Sequence, residues 1–205
     1  MIVNRYDSGL LDSSMYVISE NEHAVVIDPC MNLDGADQRT IDYLFITHEH
    51  YDHIFGVNLW KKTGAPLVCS KACGERIKDS KKNQARYFDS FCEMQSFSTN
   101  WDSSLFNSEY TCEPDITFEG EMCIEWQGHS IRLIEIPGHS PGSIGIWIDD
   151  LFFSGDNLLE GKDIELRFPG GSRRQWEETG KKIIDSIPEG TKIYPGHFDW
   201  FVLKR

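Results

Sequence analysis

The sequence predicts an α/β fold of two βα halves set face to face, and three observations carry that prediction. Short runs rich in branched and aromatic residues recur along the chain, each bounded by polar turns. A stretch with helical spacing follows them in each half. Histidines and aspartates gather just after apolar runs in both halves, where α/β folds collect their functional groups. At 205 residues the chain suits one domain, residues 1–205, or two small halves sharing a core.

In the first half, "MYVIS" (Met15–Ser19), "AVVID" (Ala24–Asp28), "IDYLFIT" (Ile41–Thr47) and "PLVCS" (Pro66–Ser70) read as strands. "DHIFGVNLWKKTG" then spaces Ile54, Val57 and Leu59–Trp60 along one helix face and closes at Gly64. Between Lys71 and Glu121 the pattern weakens. "GERIKDSKKNQARYFDSF" fits one or two polar helices, and "STNWDSSLFNSEYTCEPD" reads as a long loop, with Trp101 to Tyr110 as a candidate lid. Strands resume in "EMCIEW", "HSIRLIEI", "SIGIWID", "DLFFS" and "TKIYP". A helix is expected over Ser172–Ile187, with Trp176, Ile183 and Ile184 facing inward.

Composition narrows the function classes. With 40% apolar and 12% aromatic residues the chain can build a real core, yet no apolar run approaches the roughly 20 residues that span a bilayer. Charge and Ser/Asn interrupt the first residues too early for a secretory signal, so a cytoplasmic protein without a membrane partner is expected. The net charge of −13, with basic residues scattered apart from short pairs such as Lys61–Lys62 and Arg173–Arg174, disfavours nucleic acid as a partner. Six cysteines read as free thiols without assigned chemistry, since the closest pair, Cys69 and Cys73, lacks CxxC spacing. A small-molecule substrate is the remaining expectation, and the aromatics of the long loop suggest a homodimer.

The chemistry concentrates in "THEHYDH". His48 and His50, two apart in an extended segment, point to the same side and can share one ion. Asp52 and His53 follow on the turn into the helix and aim at a neighbouring point. Four donors cannot fill two coordination shells, and the remainder stand after later strands: His139 in "IPGHSPGS", Asp156 in "FFSGDN" and His197 in "IYPGHFD". Each follows a glycine, which lets the backbone turn sharply and approach an ion closely. His23 and His129 lie in polar, turn-like contexts and are expected at the surface.

In these motifs the chain resembles the metallo-β-lactamase superfamily, and within it the hydroxyacylglutathione hydrolase (glyoxalase II) branch. "THEHYDH", "PGHSPGS", "SGD" and "YPGH" match in order, with "VVIDPC" and "FPGGS" as flanking signatures. The resemblance covers nearly the whole chain, most loosely residues 71–120. It implies a four-layer αββα sandwich with a metal site at one edge. It further implies that His48, His50 and His139 hold one ion, that Asp52, His53 and His197 hold a second, and that Asp156 bridges. Departures are Cys30 where the branch often has glycine, and "IELRFPGG", in which Glu165 and Arg167 replace the usual Arg and Asp. The chain also ends eight residues after His197, whereas longer glyoxalase II enzymes continue into a helical region that contacts glutathione.

Two divalent cations, Zn²⁺ first and Fe or Mn as tolerated alternatives, would suit an all-nitrogen-and-oxygen donor set. The expected activity is hydrolysis of a thioester, or another acyl ester, by a hydroxide bridging the two ions, with Asp52 also orienting that hydroxide. Alternatives are a mononuclear iron persulfide dioxygenase, and a lactonase or phosphodiesterase/nuclease of the same superfamily. Arg167, Arg173 and Arg174 either greet an acidic substrate or form a solvated helix start; Tyr51 either lines the pocket or packs.

Overall fold

The computed structural model describes residues 1–33, 39–94 and 106–205. Its first sheet runs β1 (Ile2–Asp7), β2 (Ser14–Glu20), β3 (His23–Ile27), β4 (Thr40–Phe45), β5 (Leu67–Ser70) and β6 (Ile116–Phe118), in that spatial order. β1 to β3 are antiparallel, and β3 to β6 are parallel. The second sheet has the spatial order β12-β11-β10-β9-β8-β7, from β7 (Glu121–Trp126), β8 (His129–Glu135), β9 (Ile144–Ile148), β10 (Leu151–Gly155), β11 (Lys192–Pro195) and β12 (Phe201–Val202). β7 to β10 form an antiparallel meander, β11 joins β10 in parallel, and β12 pairs antiparallel with β11.

Period-two alternation sorts the strand residues into layers. Tyr16 and Ile18 of β2 and Val25 and Ile27 of β3 face the second sheet, where they pack with Leu133, Ile146 and Phe153. The intervening Met15, Val17, Ala24 and Val26 face outward, under Tyr51, Ile54, Val57 and Trp60. On the far side, Ile136, Phe152 and Ile193 pack against Ile184 and Ile187. Three apolar layers therefore separate helix, sheet, sheet and helix, which is the four-layer αββα sandwich expected from the sequence.

Most of the predicted elements are present, with informative differences. The helix expected after the histidine cluster is broken into α1 (Tyr51–Ile54), α2 (Val57–Trp60) and a 3-10 turn, Lys61–Thr63. The break falls at Gly56, whose amide donates to the Pro29 carbonyl (3.0 Å), and where a Cβ would stand 2.1 Å from the Cys30 carbonyl oxygen. Close contact with the loop after β3 overrides helical continuity. The weakly patterned region contains α3 (Lys71–Arg76), a 3-10 turn at Ala85–Tyr87 and α4 (Phe88–Met94). Residues 101–105 of the candidate lid lie outside the described residues, while Tyr110 is buried against Tyr51.

The late helix runs as α5 (Arg173–Gln175), a π-helical turn (Trp176–Gly180) and α6 (Lys181–Ser186), capped by Ser172, whose hydroxyl accepts from the Gln175 amide. Ile184 is buried, and Trp176 and Ile183 pack beside it as anticipated. The edge strands β1 and β12 and the short β6 were not anticipated. Two are only two or three residues long, and β1, with "IVNRYD", lacks a clean alternation. Nor are His23 and His129 simply solvated. His23 Nδ1 meets Asp42 at 2.9 Å and His129 Nδ1 meets Asp149 at 2.6 Å. Among the described residues, no helix is long and apolar enough to cross a membrane.

Candidate metal centre

Strand ends deliver the polar residues to one rim. β4 ends at Phe45, and the extended segment after it carries His48 and His50; His50 is the N-cap of α1, which then presents Asp52 and His53. His139 follows β8, Asp156 follows β10 and His197 follows β11. All seven predicted side chains converge. Three groups of them could hold a metal ion: His48, His50 and His139; His48, His53 and Asp156; and Asp52, His53 and His197. Within each group the donor atoms lie within 4.8 Å of one another. Asp156 stands between the two ends of the cluster, 3.5 Å from His139 Nε2 and 3.3 Å from His197 Nε2.

The donor set fits cations. His139 Nε2 lies 3.1 Å from His50 Nδ1, and His53 Nε2 lies 3.4 Å from His197 Nε2, so imidazole nitrogens face one another. His48 Nε2, His50 Nε2 and Asp156 Oδ1 are buried without a hydrogen-bond partner. Polar atoms so placed cost free energy unless something satisfies them. Closeness here also depends on Gly196: a Cβ at that position would lie 2.2 Å from Asp156 Oδ1, so any side chain would push the carboxylate off its place.

Titration behaviour divides the cluster. Burial pushes His48 and His50 well below the usual imidazole range, and neighbouring imidazoles add to the effect. Burial also opposes charge on His53, but Asp52, Asp156 and Asp28 outweigh it and raise His53 to about 10. His197 is likewise raised, by Asp156 and Asp52 against its burial. Asp156 is held well below the carboxylate range, because His197 and His53 overcome the desolvation that would raise it. In the metal-free chain, therefore, a proton on His53 offsets carboxylate charge that cations would otherwise offset, and the same carboxylates favour a proton on His197.

A second layer, not singled out in the sequence, fixes these rings. Asp28 accepts from the Thr47 amide and hydroxyl, both at 2.7 Å, and its Oδ2 lies 3.0 Å from His53 Nδ1. His139 Nδ1 donates to the Glu165 carbonyl (2.8 Å) and His197 Nδ1 to the Leu11 carbonyl (2.9 Å). Such contacts select the tautomer that turns the other ring nitrogen toward the cluster. The sequence signals for Asp28 are an aspartate closing an apolar strand before proline and its place in the "VVIDPC" signature, and neither points to His53.

Above the cluster opens a cavity of about 750 Å³ whose walls include Tyr87, Phe88, Phe168 and Phe198. Tyr51 does both things considered for it: it borders the cavity, and it packs against Phe88 and Tyr110 while its hydroxyl accepts from the Asn107 amide (2.9 Å). None of the three arginines lines the cavity. Arg167 folds back on Glu165, Arg174 pairs with Glu178, and Arg173 is exposed. Among the described residues, the lysine or arginine at the cavity wall is Lys162, whose Nζ sits 4.0 Å from the centre of the Phe198 ring.

Known proteins share both sequence and architecture with this chain. The hydroxyacylglutathione hydrolase of Psychromonas ingrahamii is 25% identical over 190 residues, covering 87% of this chain and 58% of that protein. The chain thus spans about three-fifths of that relative's length. BLEG-1 B3 metallo-beta-lactamase superposes with a TM-score of 0.80 at 21% identity, covering 98% of this chain and 94% of that one. TTHA1623, solved in a di-iron-bound form, gives a TM-score of 0.70 at 19% identity, with 98% and 94% covered. At such identities these structures speak for the fold. The metallo-beta-lactamase superfamily model matches residues 8–197, from the loop before β2 through the last of the seven converging side chains, and the chain belongs to that superfamily.

Proposed function

We propose that the protein is a binuclear metal-dependent hydrolase that cleaves a thioester, or another acyl ester, of a small metabolite. The observation that carries this reading is the convergence of two donor triads on one half-buried carboxylate, Asp156, beneath the cavity. His48, His50 and His139 would hold one cation and Asp52, His53 and His197 the other, with Asp156 shared. Zn²⁺ is the first choice, with Fe and Mn also compatible with these donors. When bound, such a pair supplies a water ionised near neutral pH and an electrophile for the substrate carbonyl.

The chain's own residues do the rest. Asp52, buried beside His53 and His197, accepts a hydrogen bond from the attacking water and orients it. Glu165 and Leu11 carbonyls keep the His139 and His197 rings turned inward. Tyr87, Phe88, Phe168 and Phe198 give the cavity apolar walls for the carbon chain of the substrate and exclude bulk water. The name of the Psychromonas relative supports an acylated thiol as substrate. The test is metal analysis of reconstituted protein joined to a thioester assay. Two ions per chain with thioester hydrolysis are expected, and Asp156→Ala is expected to lower turnover on the order of 100-fold or more. Metal-loaded protein inactive on thioester, lactone and phosphodiester panels would refute the reading; one iron per chain with oxygen consumption would establish the dioxygenase instead.

A further inference from the structure

We infer that Glu49, Arg76 and Ser140 form a positioning node for one half of the metal centre, the His48–His50–His139 group. The inference rests on the binuclear reading above. Glu49 stands between His48 and His50 in sequence, yet it is fully buried and its carboxylate points away from the donor cluster. Its Oε1 lies 2.5 Å from Arg76 Nε, and its Oε2 accepts from the Ser140 hydroxyl at 2.8 Å. Ser140 is the residue after His139. One buried carboxylate therefore ties together the two loops that carry all three donors of this group.

Arg76, at the end of α3, extends the tie. Its Nη2 donates to the Lys82 carbonyl (3.2 Å) and the Pro169 carbonyl (3.3 Å). The latter holds the segment whose Phe168 ring stands edge-on to His50 and His139, with centroids 5.7 and 6.0 Å away. Only a planar guanidinium can set its charge against a carboxylate at Nε while Nη2 reaches two carbonyls; an ammonium is a single point. A buried carboxylate stripped of its partner is strongly unfavourable, so Glu49 would move and carry its flanking histidines with it. The Asp52–His53–His197 group hangs from other anchors: Asp28 holds His53, the Ser13 hydroxyl donates to the Asp52 carbonyl, and Leu11 holds His197. Loss of the node should thus weaken one cation site and spare the other.

Zinc titration by calorimetry in single-site backgrounds tests this. In a His197→Ala background, which isolates the three-histidine site, Arg76→Lys is expected to weaken zinc binding about 10–100-fold. In a His139→Ala background, which isolates the other site, the same change should alter affinity less than about threefold. Ser140→Ala, which removes one hydrogen bond and leaves the ion pair, should give the same asymmetry in smaller measure and covers the case in which Arg76→Lys fails to fold. Equal weakening of both sites, or none at either, overturns the inference while leaving the binuclear reading intact. Protein with all seven donors that takes up no zinc overturns the reading itself.

Discussion

At the scale of single residues, the site depends on groups that never touch a substrate. Asp28 sits at the end of β3 and spends both carboxylate oxygens on Thr47 and His53, orienting a donor ring from behind. Asp28→Asn keeps the shape but replaces an acceptor oxygen with an amide that cannot receive the His53 Nδ1 proton. Metal affinity measured by chelator competition is expected to fall about 10–100-fold, with the fold retained by circular dichroism. Protonation gives a second residue-scale expectation. His53, raised to about 10, carries a proton in the metal-free chain at neutral pH and His197 is shifted in the same direction, whereas burial holds His48 and His50 well below the imidazole range. Metal uptake near pH 7.5 should release at least one proton, that of His53, and apparent affinity should climb as pH rises toward 10. Calorimetry in buffers of different ionisation enthalpy reads the proton count; a value near zero would contradict the assignment.

Among the elements, α3 matters more than its six residues suggest. Its cap, Ser70, accepts from the Cys73 amide (3.1 Å) and donates to the Gly142 carbonyl (2.9 Å), clamping the helix to the loop after His139. Ser70→Ala removes the cap and leaves a buried carbonyl without its donor, for an expected loss of about 2 kcal/mol in urea denaturation. The break between α1 and α2 belongs to this scale as well. Periodicity indicated one apolar face and was right about Ile54, Val57 and Trp60, all buried. It could not reveal that Gly56 must pass against the Cys30 carbonyl, because that carbonyl comes from another segment.

For the whole molecule, a rim packed with imidazoles and carboxylates makes the fold itself a reporter of cation binding. Ligands that bind only the folded state stabilise it by mass action, by about 2.7 kcal/mol at a hundredfold excess over Kd. Chelator treatment is expected to lower the melting temperature, and zinc to restore it. A melting temperature indifferent to both would contradict a metal centre in this cluster. The formal charge of −13 favours the same direction, since bound cations relieve repulsion within an acidic chain.

The sequence alone marked the seven candidate donors and a plan of two βα halves, written in local signals: a spacing of two in an extended segment, a candidate donor just past each apolar strand, and runs of branched and aromatic residues bounded by turns. The four-layer αββα order came with the family resemblance. Tertiary structure decided what holds the donors in place. Asp28 reaches Thr47 and His53 across 19 and 25 residues, Glu49 reaches Ser140 across 91, and Arg76 reaches Pro169 across 93. A carboxylate or guanidinium looks the same in sequence whether it faces water or a buried partner, and only the packing of distant segments fixes which it meets.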